Sequence, residues 1–92
     1  MNTQWKEEII ELITKKEFEN AISIMNTNFT EHYDEPEIHL YLGIIHELKH
    51  ENALAMRHYR SALALDGTSE VVLYNLYRLG DNSTTKTPIR YY

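Results

Sequence analysis

The chain has 92 residues, 42% of them hydrophobic and 25% charged, the composition of one globular domain with one modest core rather than of a disordered segment. Its net charge of -5, from 14 acidic and 9 basic side chains, argues against nucleic acid as partner: phosphate binding relies on clustered Lys and Arg, and only Lys15-Lys16 are adjacent. The lack of cysteine excludes disulfide and thiolate chemistry, and the polar, acidic start and lack of a long apolar run give the expectation of a cytoplasmic protein that does not enter a membrane.

The first predicted element covers residues 5–13, where Trp5, Ile9, Ile10, Leu12 and Ile13 form an apolar stripe opposite Lys6, Glu7, Glu8 and Glu11. Thr14-Lys15-Lys16-Glu17 has the form of a capping box and predicts the start of a second helix, with Phe18, Ala21, Ile22 and Met25 as its buried stripe. Asn26, Thr27 and Asn28 are poor helix formers, so this helix is expected to give way there to a loop over 30–36. A third helix begins with Asp34 and Glu37 and runs to about Lys49, with Ile38, Leu42, Ile45, His46 and Leu48 available inside and Gly43 at a point of close helix approach. A fourth helix carries Ala55, Met56, Tyr59, Ala62, Leu63 and Leu65, and Gly67 in a left-handed conformation is expected to close it. The fifth, capped by Thr68 or Ser69, contains Val72, Leu73, Leu76, Tyr77 and Leu79 and stops at Gly80. Residues 1–80 thus form the helical domain, and 81–92, polar and β-branched with Pro88 barring a late helix, are expected to be a flexible tail.

Ala21 and Ala55 stand 34 residues apart, the period of a stacked helix-turn-helix unit. The chain resembles the tetratricopeptide-repeat family, whose signature is W-x-x-L-G-x-x-Y, then A-x-x-x-F, then a small residue and Pro. Leu42-Gly43 reproduces the Leu-Gly, Ala55 and Tyr59 the A-x-x-x-F, and Ala62 the next small residue. His39 and His46 replace the two aromatics, and Gly67 replaces the Pro. In the first unit Trp5 and Ala21 match, Met25 takes the Phe place, and Glu8-Ile9 departs from Leu-Gly. A third unit contributes one helix, with Leu73 and Leu76 in register. The resemblance covers residues 5–79 and implies an all-α fold of five helices, paired antiparallel and stacked as a short right-handed superhelix of about two and a half repeats.

The resemblance also implies a concave groove that binds a peptide or partner protein. Its lining, carried over position by position, is Lys6, Ile10 and Ile13 from the first unit, Leu40, Ile44, Glu47 and Leu48 from the second, and Tyr74 and Arg78 from the third. Only Lys6 falls where carboxylate-clamping members of the family need a Lys, Asn and Arg cluster, so an amphipathic helix or hydrophobic segment is the expected ligand. Repeat arrays need about three units and polar ends, and the fifth helix has no sixth to meet. Its apolar residues Val71, Leu73, Leu76 and Tyr77 are therefore expected to be covered by the tail residues Ile89, Tyr91 and Tyr92 or by another chain, which makes a homodimer or a dedicated partner an expectation at this end.

His46-Glu47-Leu48-Lys49-His50 is a literal H-E-x-x-H, the string that supplies two zinc ligands and a general base in zinc proteases. The extended motif fails, since Ala53 and Met56 stand where Gly and a third His belong, and His50 falls at the expected turn between helices three and four. No phosphate loop or nucleophile with a His partner accompanies it. A zinc hydrolase is accordingly the least favoured reading, behind a non-catalytic adaptor or chaperone-like escort and an inhibitor or immunity-type protein that blocks a partner's surface. Neither catalysis nor a cofactor or resident metal is expected.

Overall fold

The computed structural model describes residues 4–32, 35–80 and 88–92, with backbone alone for 28–32. Five helices follow one another: α1 (Gln4–Thr14), α2 (Phe18–His32), α3 (Pro36–Leu48), α4 (Asn52–Leu65) and α5 (Glu70–Gly80). The fold is all-α, and no strand occurs among the described residues. Each helix packs on the next, and α1 also meets α3. No helix of the described residues is long and apolar enough to cross a membrane.

The centre of the core is α3. Six of its 13 residues are buried, Ile38, Leu40, Tyr41, Gly43, Ile44 and Ile45, because neighbours on several sides leave it no wide solvent face. Trp5, Ile9 and Ile13 of α1, Ala21 and Met25 of α2, Ala55, Tyr59 and Ala62 of α4 and Val72 of α5 complete the core of the described residues. At Gly43 α3 meets Tyr59 of α4: a Cβ built there would lie 2.5 Å from Tyr59 Cε1 and 2.6 Å from Cδ1, so the ring occupies the space that a side chain would fill. The missing side chain at Gly43 thus makes room for the Tyr59 ring rather than for a neighbouring backbone.

The helix ends depart from the expected pattern at several points. Thr14 does not cap α2. It is the last residue of α1, and its hydroxyl donates to the Glu11 carbonyl at 2.7 Å. The turn is made instead by Lys16 at φ 62°, with the Lys16 amide donating to Ile13 O (2.9 Å) and the Glu17 amide to Leu12 O (2.8 Å), the double bond pattern that closes a helix through a left-handed residue. The α3–α4 turn repeats it: His50 has φ 63°, its amide donates to Glu47 O (3.0 Å), and that of Glu51 donates to His46 O (2.8 Å). Lys16 and His50 stand 34 residues apart, like Ala21 and Ala55, so the sequence period is also a period of backbone geometry.

Residues 26–28 do not end α2, which continues to His32. Weak propensity costs a few tenths of a kcal/mol per residue, on the order of what one more propagated helical bond returns, and Thr27 turns its hydroxyl onto the Ser23 carbonyl (3.1 Å) inside the helix. Asp34, expected to open α3, lies outside the described residues; Glu35 is the N-cap, without a side-chain cap bond, and Pro36 opens the helix. Gly67 is not left-handed. The α4 helix is closed by Asp66 in extended backbone, whose carboxylate accepts the Thr68 amide (3.1 Å) and hydroxyl (2.7 Å). These bonds hold the Asp66 carboxyl below its ordinary pKa. Ser69 caps α5, accepting the Val72 amide at 3.4 Å.

Candidate functional site

Asn75 sits in the middle of α5 in the run Val71-Val72-Leu73-Tyr74-Asn75-Leu76-Tyr77 and is the one fully buried polar residue among those described. A buried primary amide needs partners for both its oxygen and its nitrogen. It finds them on the backbone of Arg90: Nδ2 donates to Arg90 O at 2.8 Å, and the Arg90 amide donates to Oδ1 at 3.1 Å. The side-chain amide therefore acts as a one-residue strand, reading main chain and not side chain. From the preceding residue, the Tyr74 hydroxyl donates to Pro88 O (2.9 Å), and the Arg90 guanidinium lies 5.4 Å from the Tyr74 ring centroid.

These bonds hold residues 88–92 against the fold. Burial alternates along them: Pro88, Arg90 and Tyr92 are exposed, while Ile89 and Tyr91 are half-buried against the core. A period of two is the signature of an extended segment with one face down. Burial raises the Tyr91 hydroxyl above its ordinary pKa. Tyr92 reaches an open hollow of ≈ 670 Å³ whose other walls are Lys6, Glu7, Ile10, Glu11 and Thr14 of α1 and Tyr41 of α3. The segment thus runs from α5 towards α1, over the side of the molecule that α1, α3 and α5 share. Of the expected flexible tail, 81–87 lie outside the described residues and 88–92 are seated.

The residues singled out in the sequence divide around this segment. Ile10 and Lys6 line the hollow, and Lys6 is tied to Glu35 (3.4 Å) and Glu37 (3.3 Å) with its amine 5.5 Å from the Trp5 ring centroid. Tyr74 binds the tail. Ile13, Leu40 and Ile44 are buried, Leu40 beside Val71 and Val72, and form floor rather than open lining; Leu48 is half-buried. Glu47 and Arg78 form a largely buried ion pair, and the Tyr59 hydroxyl donates to the second Glu47 oxygen at 2.8 Å, so three side chains tie α3, α4 and α5 together. Burial first, and the Glu47 charge second, raise the Tyr59 hydroxyl far above its ordinary pKa, keeping it a donor. At the other end, Val71, Leu73 and Leu76 are half-buried and Tyr77 remains 71% exposed.

The H-E-x-x-H string does not keep its helical geometry. His50 lies beyond the helix in left-handed backbone, Glu47 is engaged by Arg78 and Tyr59, and His46 Nδ1 pairs with Glu51 at 2.9 Å. Instead His46 stacks on His58 (centroids 5.2 Å apart), which stacks on His39 (5.7 Å), with 3.4 Å between the His39 and His58 Nδ1 atoms. No group of three or more His, Cys, Asp or Glu among the described residues is disposed to hold a metal ion. Asn75, the residue that grips the tail, is not in the set carried over from the repeat pattern; its sequence reading is, with Arg78, a binder of a peptide carboxylate or a member of a solvated helix face, and instead it is fully buried on the Arg90 main chain. Its signal was present, a poor helix former amid six apolar neighbours. Comparisons of the chain with protein-family models, curated proteins and solved structures find no match.

Proposed function

We propose that the chain is a non-catalytic protein-interaction module of tetratricopeptide type, which holds a hydrophobic segment of another protein on the side shared by α1, α3 and α5. The observation that carries this reading is the seating of residues 88–92: an extended segment lies there, held through its main chain by Asn75 and through alternate side chains by the core. Main-chain pairing supplies affinity and alternate pockets supply specificity, the division found wherever an extended peptide is recognised. The hollow beside Tyr92, walled by Ile10 and Tyr41 on the apolar side, leaves room for more of a ligand than the tail fills. An extended ligand replaces the amphipathic helix as the favoured form, since what Asn75 pairs with is an unpaired main-chain N–H and C=O, and a helix interior has none free.

The test is a displayed library of random peptides panned against the full chain, with Ile10→Glu as the comparison. Ile10 is half-buried on the wall of the hollow and packs on the edge of the core, so the comparison is made with a variant whose far-UV circular dichroism matches that of the natural chain. Sequences enriched by the natural chain and lost on Ile10→Glu are the expected result. Failure to enrich any sequence that distinguishes the two would contradict the reading.

A further inference from the structure

We propose that residues 88–92 are a resident competitor: they occupy the seat of an extended partner segment with apolar or aromatic side chains at alternate positions and a basic residue between them, and the partner binds by displacing them. The inference rests on the protein-interaction reading above and specifies its ligand and its control.

Three observations define the ligand. The Asn75 amide forms a two-bond ring with one residue's main chain, which any residue except proline can complete and which fixes the segment as extended at that point. Ile89 and Tyr91, on either side, point to the same face and pack on the core, so the flanking positions ask for an aliphatic and an aromatic group. The intervening side chain, Arg90, lies outward over the Tyr74 ring, a place that favours a cation. Charge agrees: Glu7 walls the hollow, Glu11 there is paired with Lys15 (2.9 Å) as Lys6 is with Glu35 and Glu37, and the chain carries -5 overall. Residues 83–92 themselves hold Lys86 and Arg90 and no carboxylate side chain.

The grip on the tail is slight. It consists of three hydrogen bonds to its main chain, the stacking of Arg90 on Tyr74 and two half-buried side chains, and net hydrogen-bond contributions run at about 1 kcal/mol each. The tether makes it sufficient. Segments joined in one chain meet at an effective concentration on the order of 1 mM, so a seat with an intrinsic Kd of about 50 µM would be filled in cis and the apparent Kd for a ligand in trans raised roughly twentyfold. A stronger partner segment, or one that also fills the hollow beyond Tyr92, takes the seat.

The experiment measures anisotropy of a fluorescein-labelled peptide Lys-Thr-Pro-Ile-Arg-Tyr-Tyr, the sequence of residues 86–92, against the full chain and against Ile89→Gly/Tyr91→Gly, which removes the tail's two anchors without adding charge. The released variant is expected to bind the probe at least tenfold more tightly than the natural chain. Adding Asn75→Ala to it should reduce binding at least tenfold with unchanged far-UV circular dichroism; in that background the amide has no tail to hold, so its loss does not weaken the fold. A probe with N-methylarginine in place of Arg90, which lacks the donor N–H and needs no change in the protein, should bind at least fivefold more weakly to the released variant. Equal affinity of natural and released chains, indifference to N-methylation, or probe-independent dimers of the released variant would each overturn the proposal. If panning enriches peptides that Ile10→Glu loses while tail release changes nothing, the competitor role fails and the protein-interaction reading stands; if neither assay shows binding, both fail.

Discussion

Gly43 shows how much one missing side chain can decide. Alanine is a better helix former than glycine by about 1 kcal/mol, so Gly43→Ala would stabilise an isolated α3. In the folded protein the new Cβ would fall 2.5 Å from a ring that is fully buried and anchored through its hydroxyl to Glu47, and it cannot swing away. Overpacking of this kind costs about 1–3 kcal/mol and outweighs the propensity gain. We expect a net loss of about 1–2 kcal/mol, seen as a fall in Tm of roughly 5–10 °C by calorimetry; an unchanged or higher Tm would refute the account of the α3–α4 contact. The Leu-Gly pair made this position readable from sequence because small size at a helix contact leaves a local trace. Asn75 was harder. Its partner is the main chain of Arg90, 15 residues on, and main-chain pairing writes nothing into the partner's sequence. Glu47 and Arg78 are legible as charges, and the repeat pattern implies a place for them in a lining, but their pairing from α3 to α5 is invisible until the helices are packed.

At the scale of the helices, apolar periodicity located all five because each needs one buried stripe, whereas their ends were decided by backbone bonds that side-chain identity barely constrains. Thr14-Lys15-Lys16-Glu17 fits a capping box as letters and a left-handed closure as structure. That closure places two non-glycine residues at positive φ, a conformation costing about 1 kcal/mol for a residue with a Cβ. Lys16→Gly and His50→Gly should therefore each stabilise the fold by about 0.5–1 kcal/mol in urea unfolding, with additive effects, as for separate repeats of one turn; destabilisation at either would contradict the shared geometry. The α3–α4 pair carries a second testable property. His39 and His58 face each other, with His46 stacked on His58 and Arg57 nearby on α4, and burial lowers the pKa of both His39 and His58 below 6.5, helped at His58 by the neighbouring imidazoles and Arg57. Groups depressed on folding bind more protons when unfolded, so stability is full above about pH 6.5 and falls as pH drops below it. Thermal unfolding should show Tm decreasing from pH 7.5 to 5.5, with the slope reduced in His39→Gln/His58→Gln. A flat profile in the natural chain would show that the cluster is not held neutral.

At the scale of the whole molecule, the five helices among the described residues, with extents of 37 × 28 × 19 Å, include none that follows α5, and the chain's own last described residues supply part of the cover. The sequence poses a choice between tail and second chain, from the count of helices, and cannot resolve it because the tail's burial alternates over only five residues. Covering by the tail keeps Asn75 from being buried without partners. On the reading proposed above it also keeps a peptide seat formed while no ligand is bound, and stability and recognition then share the same hydrogen bonds: a variant that loses the tail must either find another segment or leave an amide unsatisfied at a cost of about 1–3 kcal/mol. The most direct measurement is amide-resolved hydrogen exchange of the full chain by NMR, read at Arg90. The account predicts exchange slowed at least tenfold relative to the free 86–92 peptide and restored to the free rate by Asn75→Ala. An Arg90 amide exchanging as fast in the protein as in the peptide would contradict it.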